Sequence, residues 1–343
     1  MKSDCSSTPK SVELMIIEHW KLLPQLHQYG AARAAQAYVN TVAAAGNSLS
    51  YFSSESDDGV PWQLLAWPLE WDSKFFGFKT ARLDLIAPPI DVFNKENEEL
   101  GRSFIESALF ELQKNGFEFL SAQIDVSDTA AMQCLELNGF LLADTIVGYE
   151  LSLAKLTAQE NRSSASLCQQ HNIRPATSSD EQALRAIAAD CFGKREANVN
   201  RFNSELKFSQ DQVREMYELW IANSIKGTLA DSVLLYEEGG TPIGFITIRL
   251  PSASELSAGI NCAAIPLNAV SRAHQGKGVY RQLVFAALNW LKVQNCDAVQ
   301  IKTQLPNRAV HSCWQSLGAR IYTSLHTFQK DFTRTFSSPG SGF

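Results

Sequence analysis

An internal repeat constrains this chain more than any other feature. Gly139 and Gly318 stand 179 residues apart, and a hydrophobic stripe recurs at the same offset. Ile105, Ala108, Leu109 and Leu112 have the i, i+3, i+4, i+7 spacing of a helix with one apolar face, and Val284, Ala287, Leu288 and Leu291 repeat it. After each stripe comes a short apolar or alternating run, 117–124 or 298–301, that reads as a strand. A second helix then closes at Gly139 or Gly318, and a last strand-like segment follows. The order β-α-β-α-β occurs twice, which predicts two α/β units of one fold, each a mixed sheet with helices packed on it.

At 343 residues the chain is long enough to bury two cores. A Ser-rich polar stretch ending near Asn172 sets the break. The predicted organisation is a helical extension and linker over 1–60, a first domain over 61–155, a linker over 156–171 and a second domain over 172–335. Within the extension, Ala, Leu and Gln between about Val12 and Ala45 predict helix, and the polar run 47–59 predicts linker.

Composition narrows the function. Hydrophobic residues are 45% and charged ones 19%, and no apolar run approaches the roughly 20 residues of a membrane helix, so no membrane partner is expected. The start, MKSDCSSTPK, lacks a basic end followed by an apolar stretch, which predicts a cytoplasmic protein. Seven cysteines are scattered singly without a CxxC pair, predicting free thiols and no metal. A formal charge of -6 and a pI near 5.6 argue against a nucleic-acid partner, which calls for a basic face.

The second copy carries a loop that the first lacks. Residues 263–270 read as one buried strand, and Gly276 and Gly278 then precede the helical stripe. Strand, glycine loop and helix start suit a pyrophosphate: glycine lets backbone approach the ligand, and the first N–H groups of a helix point at its oxygens. Lys277 and Arg281 add positive charge. The equivalent stretch of the first copy, KENEELGR at 95–102, carries Glu96, Glu98 and Glu99, whose carboxylates would repel a pyrophosphate.

With these residues in view, the chain resembles the GNAT superfamily of N-acetyltransferases. The superfamily's loop, Gln or Arg-x-x-Gly-x-Gly or Ala, is matched by Gln275-Gly276-Lys277-Gly278-Val279-Tyr280, and its later helix by Asn307, Leu317 and Gly318. LEWDSKFFGF (69–78), ELWIANSIKGT (218–228) and AALNW (286–290) resemble the dTDP-fucosamine acetyltransferase type, which also begins with an incomplete GNAT-like domain. The resemblance covers about 62–332. It implies tandem GNAT-like domains, the first degenerate, with acetyl-CoA as cosubstrate. The implied cofactor contacts are Asn268, Ala269 and Val270 on the pantetheine arm, Gln275, Gly276, Lys277, Gly278, Val279, Tyr280 and Arg281 at the pyrophosphate, and Asn307.

Two positions depart from the family pattern. Tyr280 stands where Gly or Ala is expected, and Trp314 stands where many relatives have a Tyr thought to protonate the departing thiolate. An indole N–H donates a hydrogen bond but is no practical acid. For a base, no Glu occurs on the strand ending at Val270, which leaves His326, Asp72 and Glu70 as candidates; Tyr322 is a further candidate acid. The catalytic expectation is therefore His326, Asp72 and Trp314.

The resemblance implies acetyl transfer to a primary amine of a small molecule, a nucleotide-linked amino sugar in the nearest type, with a homodimer as the family-level expectation. The competing readings are a CoA-binding or scaffolding module without turnover, and an acetyltransferase for another small amine or a protein.

Overall fold

The computed structural model describes residues 50–54, 62–86, 94–155, 172–195 and 199–334. The strands are β1 (Ser50–Ser53), β2 (Gln63–Pro68), β3 (Thr80–Ile86), β4 (Phe119–Asp125), β5 (Leu141–Ser152), β6 (Ile173–Pro175), β7 (Ser232–Glu238), β8 (Thr241–Ile248), β9 (Cys262–Ala264), β10 (Asn268–Val270), β11 (Ala298–Gln304) and β12 (Arg320–Asp331). The helices are α1 (Glu70–Phe76), α2 (Lys95–Lys114), α3 (Thr129–Leu137), α4 (Glu181–Phe192), α5 (Arg201–Ser204), α6 (Gln210–Ile225), α7 (Ala253–Ser257), α8 (Val279–Val293) and α9 (Arg308–Ser316). The linker expected over 156–171 and nearly all of the extension lie outside the described residues. Residues 50–53, expected as linker, instead form β1, in antiparallel register with β2 from Ser50↔Ala66 to Ser53↔Gln63. Phe52 reaches the core there, so a run polar in sum still carries one residue that the sheet buries. Among the described residues no helix is long and apolar enough to cross a membrane.

The chain divides into two compact units, the described residues falling as 50–145 with 325–334, and as 146–324. In the first unit β2 pairs antiparallel with β3, β3 parallel with β4, and β4 antiparallel with Leu325–Asp331 of β12. The predicted stripe of α2 is buried against this sheet, Ile105, Ala108 and Leu112 completely. Gly101 of the same helix lies under the Trp62 indole, which a Cβ would strike.

In the second unit β11 pairs parallel with β9 and antiparallel with Ile146–Ser152 of β5, the seven pairs running from Ala298↔Ser152 to Gln304↔Ile146. A second sheet runs β10-β8-β7-β6. The stripe of α8 joins Val147, Tyr149, Leu151, Val299, Ile301 and Trp314 in one core. The repeat is thus present in three dimensions: parallel strands flank α2 and α8 alike, and Gly139 and Gly318 both close a helix at positive φ, 75° and 77°. In each unit the strand following the parallel pair comes from a distant part of the sequence, residues 325–331 in one and 146–152 in the other.

Two polar networks anchor the second unit. Gln315 Nε2 donates to Tyr149 Oη at 3.2 Å, and Tyr149 Oη lies 2.9 Å from His311 Nδ1. His311 Nε2 sits 3.2 and 3.0 Å from the carbonyls of Gln304 and Leu305, so Nε2 carries the proton and Nδ1 accepts from Tyr149. At the other end, Arg174 donates to both carboxylate oxygens of Asp180 at 2.8 Å and to Glu237 at 2.9 Å. This guanidinium holds the buried Asp180 carboxyl well below the usual carboxylate range, with Thr177 adding two hydrogen bonds. A depressed folded-state pKa contributes stability that is present above the unfolded value, near 3.9, and is lost as pH falls through the folded one. Asp180→Ala is expected to cost about 2 to 3 kcal/mol at pH 7 in denaturant unfolding, with the difference from wild type closing only in strong acid.

Candidate cofactor site

The strand expected over 263–270 is broken. Cys262–Ala264 stays beside β11, where the Ile265 N–H makes the last bond, to Gln300 O at 3.0 Å; Asn268–Val270 pairs with β8 instead. Pro266 sits in the break, and having no N–H it cannot continue a ladder. Beyond Gln300 the neighbours of β9 and β10 differ, and a cavity of about 580 Å³ is lined by β10, by Gln304 of β11 and by the start of α9.

The backbone of β10 presents donors to this opening. Thr247 N donates to Leu267 O at 2.9 Å and Ser271 N to Ile243 O at 2.8 Å, so the odd-numbered residues face β8. Strand alternation then turns the N–H groups of Asn268 and Val270 the other way, toward the cavity that both residues line. The Val270 carbonyl points there too, accepting from Gln275 Nε2 at 3.0 Å and from Cys191 Sγ at 3.3 Å.

Below β10 the chain makes a single 3-10 turn at Arg272–His274 and enters the glycine loop. Gly276 and Gly278 have φ of 75° and 80°, a region that costs a residue with a Cβ roughly 1–2 kcal/mol. A Cβ at either would meet nothing within 4 Å, so the backbone there faces open space. Gly278 is the N-cap of the fifteen-residue α8, no side chain caps it, and no acidic residue lies in its first turn. The first N–H groups of α8 therefore remain for an external acceptor, with the positive end of the helix dipole behind them. By contrast α2 starts at Lys95, with Asn94 Oδ1 accepting from Asn97 N at 2.9 Å and Glu96 and Glu98 in the first turn. The 95–102 stretch of the first copy is thus helix where the second copy has its loop.

The far wall comes from β11 and α9. Asn307 caps α9, accepts from Val310 N, and donates from Nδ2 to Thr303 Oγ1 at 3.0 Å. Gln304, Pro306, Arg308, Ala309 and Cys313 complete that side, with Cys191, Phe192 and Val199 opposite. Arg281 and Arg308 line the cavity and, among the described residues, no Asp or Glu does, so its charge suits an anion. Burial pushes the thiols of Cys191 and Cys313 up to about 11, which keeps them protonated and unreactive at neutral pH.

Of the cofactor residues expected from the sequence, Asn268, Ala269, Val270, Gln275, Gly276, Gly278, Val279, Tyr280, Arg281 and Asn307 line this one cavity; Lys277 is exposed and outside the lining. The three catalytic expectations do not line it. Asp72 lies in the first turn of α1, and His326 on β12 has Nδ1 3.0 Å from Thr145 Oγ1, both in the first unit. Trp314 is fully buried on α9, its Nε1 donating to Tyr280 Oη at 3.0 Å. Sequence reasoning missed Cys191, Phe192, Val199, His274 and the α9 face, because no local pattern ties the end of α4 to the glycine loop.

Residues 196–319 match the model of the Acetyltransferase (GNAT) family. Over this segment the chain is similar to that family. An uncapped helix N-terminus behind two left-handed glycines is suited to a pyrophosphate. No curated protein matches the sequence. Among solved structures, the GCN5-related glucosamine N-acetyltransferase region of a fungal multi-domain GH3 β-N-acetylglucosaminidase is similar at 11% identity and a TM-score of 0.52, over 82% of this chain and 33% of that one. A functionally unknown conserved protein from Staphylococcus epidermidis ATCC 12228 is similar at 11% identity and 0.51, over 81% and 93%. A tandem GNAT protein from the clavulanic acid biosynthesis pathway aligns at 13% identity over 96% and 98%, with a TM-score of 0.48. At these identities the first two likenesses establish the GNAT fold alone.

Proposed function

We propose that the chain is an N-acetyltransferase that binds acetyl-CoA in the cavity of its second unit and acetylates a primary amine of a small molecule, in the first instance a nucleotide-linked amino sugar. The observation that carries this reading is the convergence of three backbone features on one cavity: the outward N–H groups of Asn268 and Val270, the left-handed glycines 276 and 278, and the uncapped start of α8. We assign residues 172–335, completed by strand residues 146–152, as the cofactor-binding part.

When bound, acetyl-CoA supplies an acyl group activated as a thioester. The chain's own residues do the rest. The loop from Gln275 to Tyr280 binds the pyrophosphate through N–H donors, with Arg281 and Arg308 supplying charge. The N–H groups of Asn268 and Val270 orient the pantetheine arm and polarise the thioester carbonyl. Asn307, pinned to Thr303, shapes the wall opposite. Holding the two reactants together supplies much of the acceleration. The acceptor class rests on the sequence resemblance to the dTDP-fucosamine type, and the glucosamine named for one structural neighbour is an amine of the same class.

Mass spectrometry of acetyl-CoA incubated with the protein and a panel of dTDP- and UDP-linked amino sugars, polyamines and lysine peptides tests the reading. Acetylation of an amino sugar is the expected result. Acetylation of a peptide alone would replace the acceptor class, and no product from a protein that binds acetyl-CoA would favour a binding module without turnover.

A further inference from the structure

The broken strand beside the cavity is held by a side chain that lies outside the lining. β8 contains the run Phe245-Ile246-Thr247-Ile248, in which Thr247 is a completely buried hydroxyl among apolar residues. Such a group costs stability unless it is hydrogen-bonded, so its partners tell what it does there. Arg249 exchanges both backbone bonds with Ala264, at 2.9 and 2.8 Å, and Thr247 N donates to Leu267 O at 2.9 Å. Between these two rungs β8 has one residue, Ile248, and the opposite strand has two, Ile265 and Pro266. The break is therefore a bulge in the ladder with β8, one residue longer on the cavity side.

A regular rung would return the bond from Leu267 N to the Thr247 carbonyl. Here Leu267 N donates to Thr247 Oγ1 at 2.9 Å, and the same hydroxyl donates to Leu267 O at 2.8 Å. Leu267 O thus accepts from two donors of one residue, the Thr247 N–H and its hydroxyl, which fill its two lone pairs.

The consequence falls on the next amide. Leu267 O and Asn268 N–H belong to one peptide unit, which is planar and trans, so the N–H points opposite to the carbonyl. Two donors that fix the carbonyl on the β8 side therefore fix the Asn268 N–H on the cavity side, where Asn268 is part of the lining. They also draw electron density toward the carbonyl oxygen, and hydrogen bonds linked through one amide strengthen each other. Branching at Cβ restricts the Thr247 side chain to few rotamers, which keeps the hydroxyl on Leu267.

We propose that Thr247 is the positioning residue that aims and strengthens the Asn268 N–H as a donor to the pantetheine arm of the cosubstrate. The assignment rests on the acetyl-CoA reading above. Thr247 touches no ligand itself and acts through the peptide between Leu267 and Asn268.

Two ligands separate this role from general packing, because CoA carries the pantetheine arm and adenosine 3′,5′-bisphosphate lacks it. Wild type, Thr247→Ala and Thr247→Ser are titrated with both by calorimetry, and the Asn268 amide is followed by NMR of protein labelled with 15N at asparagine. In wild type the Asn268 amide proton moves downfield with CoA and stays in place with the bisphosphate. Thr247→Ala loses about tenfold in CoA affinity, the size of one net hydrogen bond, keeps the bisphosphate within about twofold, and loses the downfield shift. Thr247→Ser keeps the hydroxyl, so it restores the shift and brings CoA affinity to within about threefold of wild type. Thr247→Val takes the place of Thr247→Ala if the latter does not fold, and failure of both to fold would make Thr247 a packing residue and overturn the proposal. So would equal weakening of the two ligands, unchanged CoA affinity, a Ser variant no better than the Ala one, or an Asn268 signal in wild type that ignores CoA. Failure of wild type to bind either ligand would instead overturn the cofactor site itself.

Discussion

Gly278→Glu abolishes acetyl-CoA binding while the fold persists. Gly278 is the N-cap of α8 at φ 80°, exposed, with open space where a side chain would project. A carboxylate there lies against the site assigned to the pyrophosphate. At about 4 Å and an effective dielectric near 20, one like-charge pair costs about 4 kcal/mol, which is about 1,000-fold in affinity. The left-handed backbone adds roughly 1–2 kcal/mol of strain to any residue with a Cβ, a cost to stability that Gly278→Ala shares. Calorimetry on both variants separates the effects: Ala keeps affinity within about tenfold, Glu loses it, and both lower the melting temperature by similar amounts. Retained affinity in the Glu variant would remove this loop from the site.

The second large effect concerns the strand that completes the cofactor unit. Ile146–Ser152 fills one edge of β11 with seven register pairs, and Val147, Tyr149 and Leu151 from it are buried in the α8 core. Tyr149 also links that strand to α9 through His311 and Gln315. Losing each large buried side chain costs on the order of 2–5 kcal/mol, against a total stability of about 5–15 kcal/mol for a domain. A fragment of residues 172–335 is therefore expected to show no cooperative thermal transition, and a fragment of 146–335 to regain one. Cooperative unfolding of the shorter fragment, read by near-ultraviolet circular dichroism, would show that the 146–152 strand is dispensable.

These two cases mark what was readable in the sequence and what was not. The helical stripes at 105–112 and 284–291 are local patterns, and the chain buries both as their spacing demands. The glycine loop is equally local, since positive φ and an uncapped helix start follow from residue type at 276 and 278. Strand partnership is not local. Nothing in the composition of 146–152 distinguishes pairing with β11 from pairing with a nearer strand, because a two-residue side-chain period specifies a face and leaves the neighbour open. Pro266 offered a readable signal for the broken strand, since a proline inside an apolar run argues against a continuous ladder. The bond between Trp314 and Tyr280 joins two departures from the family pattern that lie 34 residues apart, and no spacing rule pairs them. His326 is a candidate base by its chemistry and its strand-like setting, and Asp72 by the resemblance of the 69–78 segment; neither lines the cavity.

Hydrogen–deuterium exchange with and without acetyl-CoA tests the central claim most directly. The account predicts slowed amide exchange at 268–270, 276–282 and 304–313, where the backbone lines the cavity, and little change in α2 and its flanking strands. Protection centred on residues 94–114, or none at saturating acetyl-CoA, would contradict it.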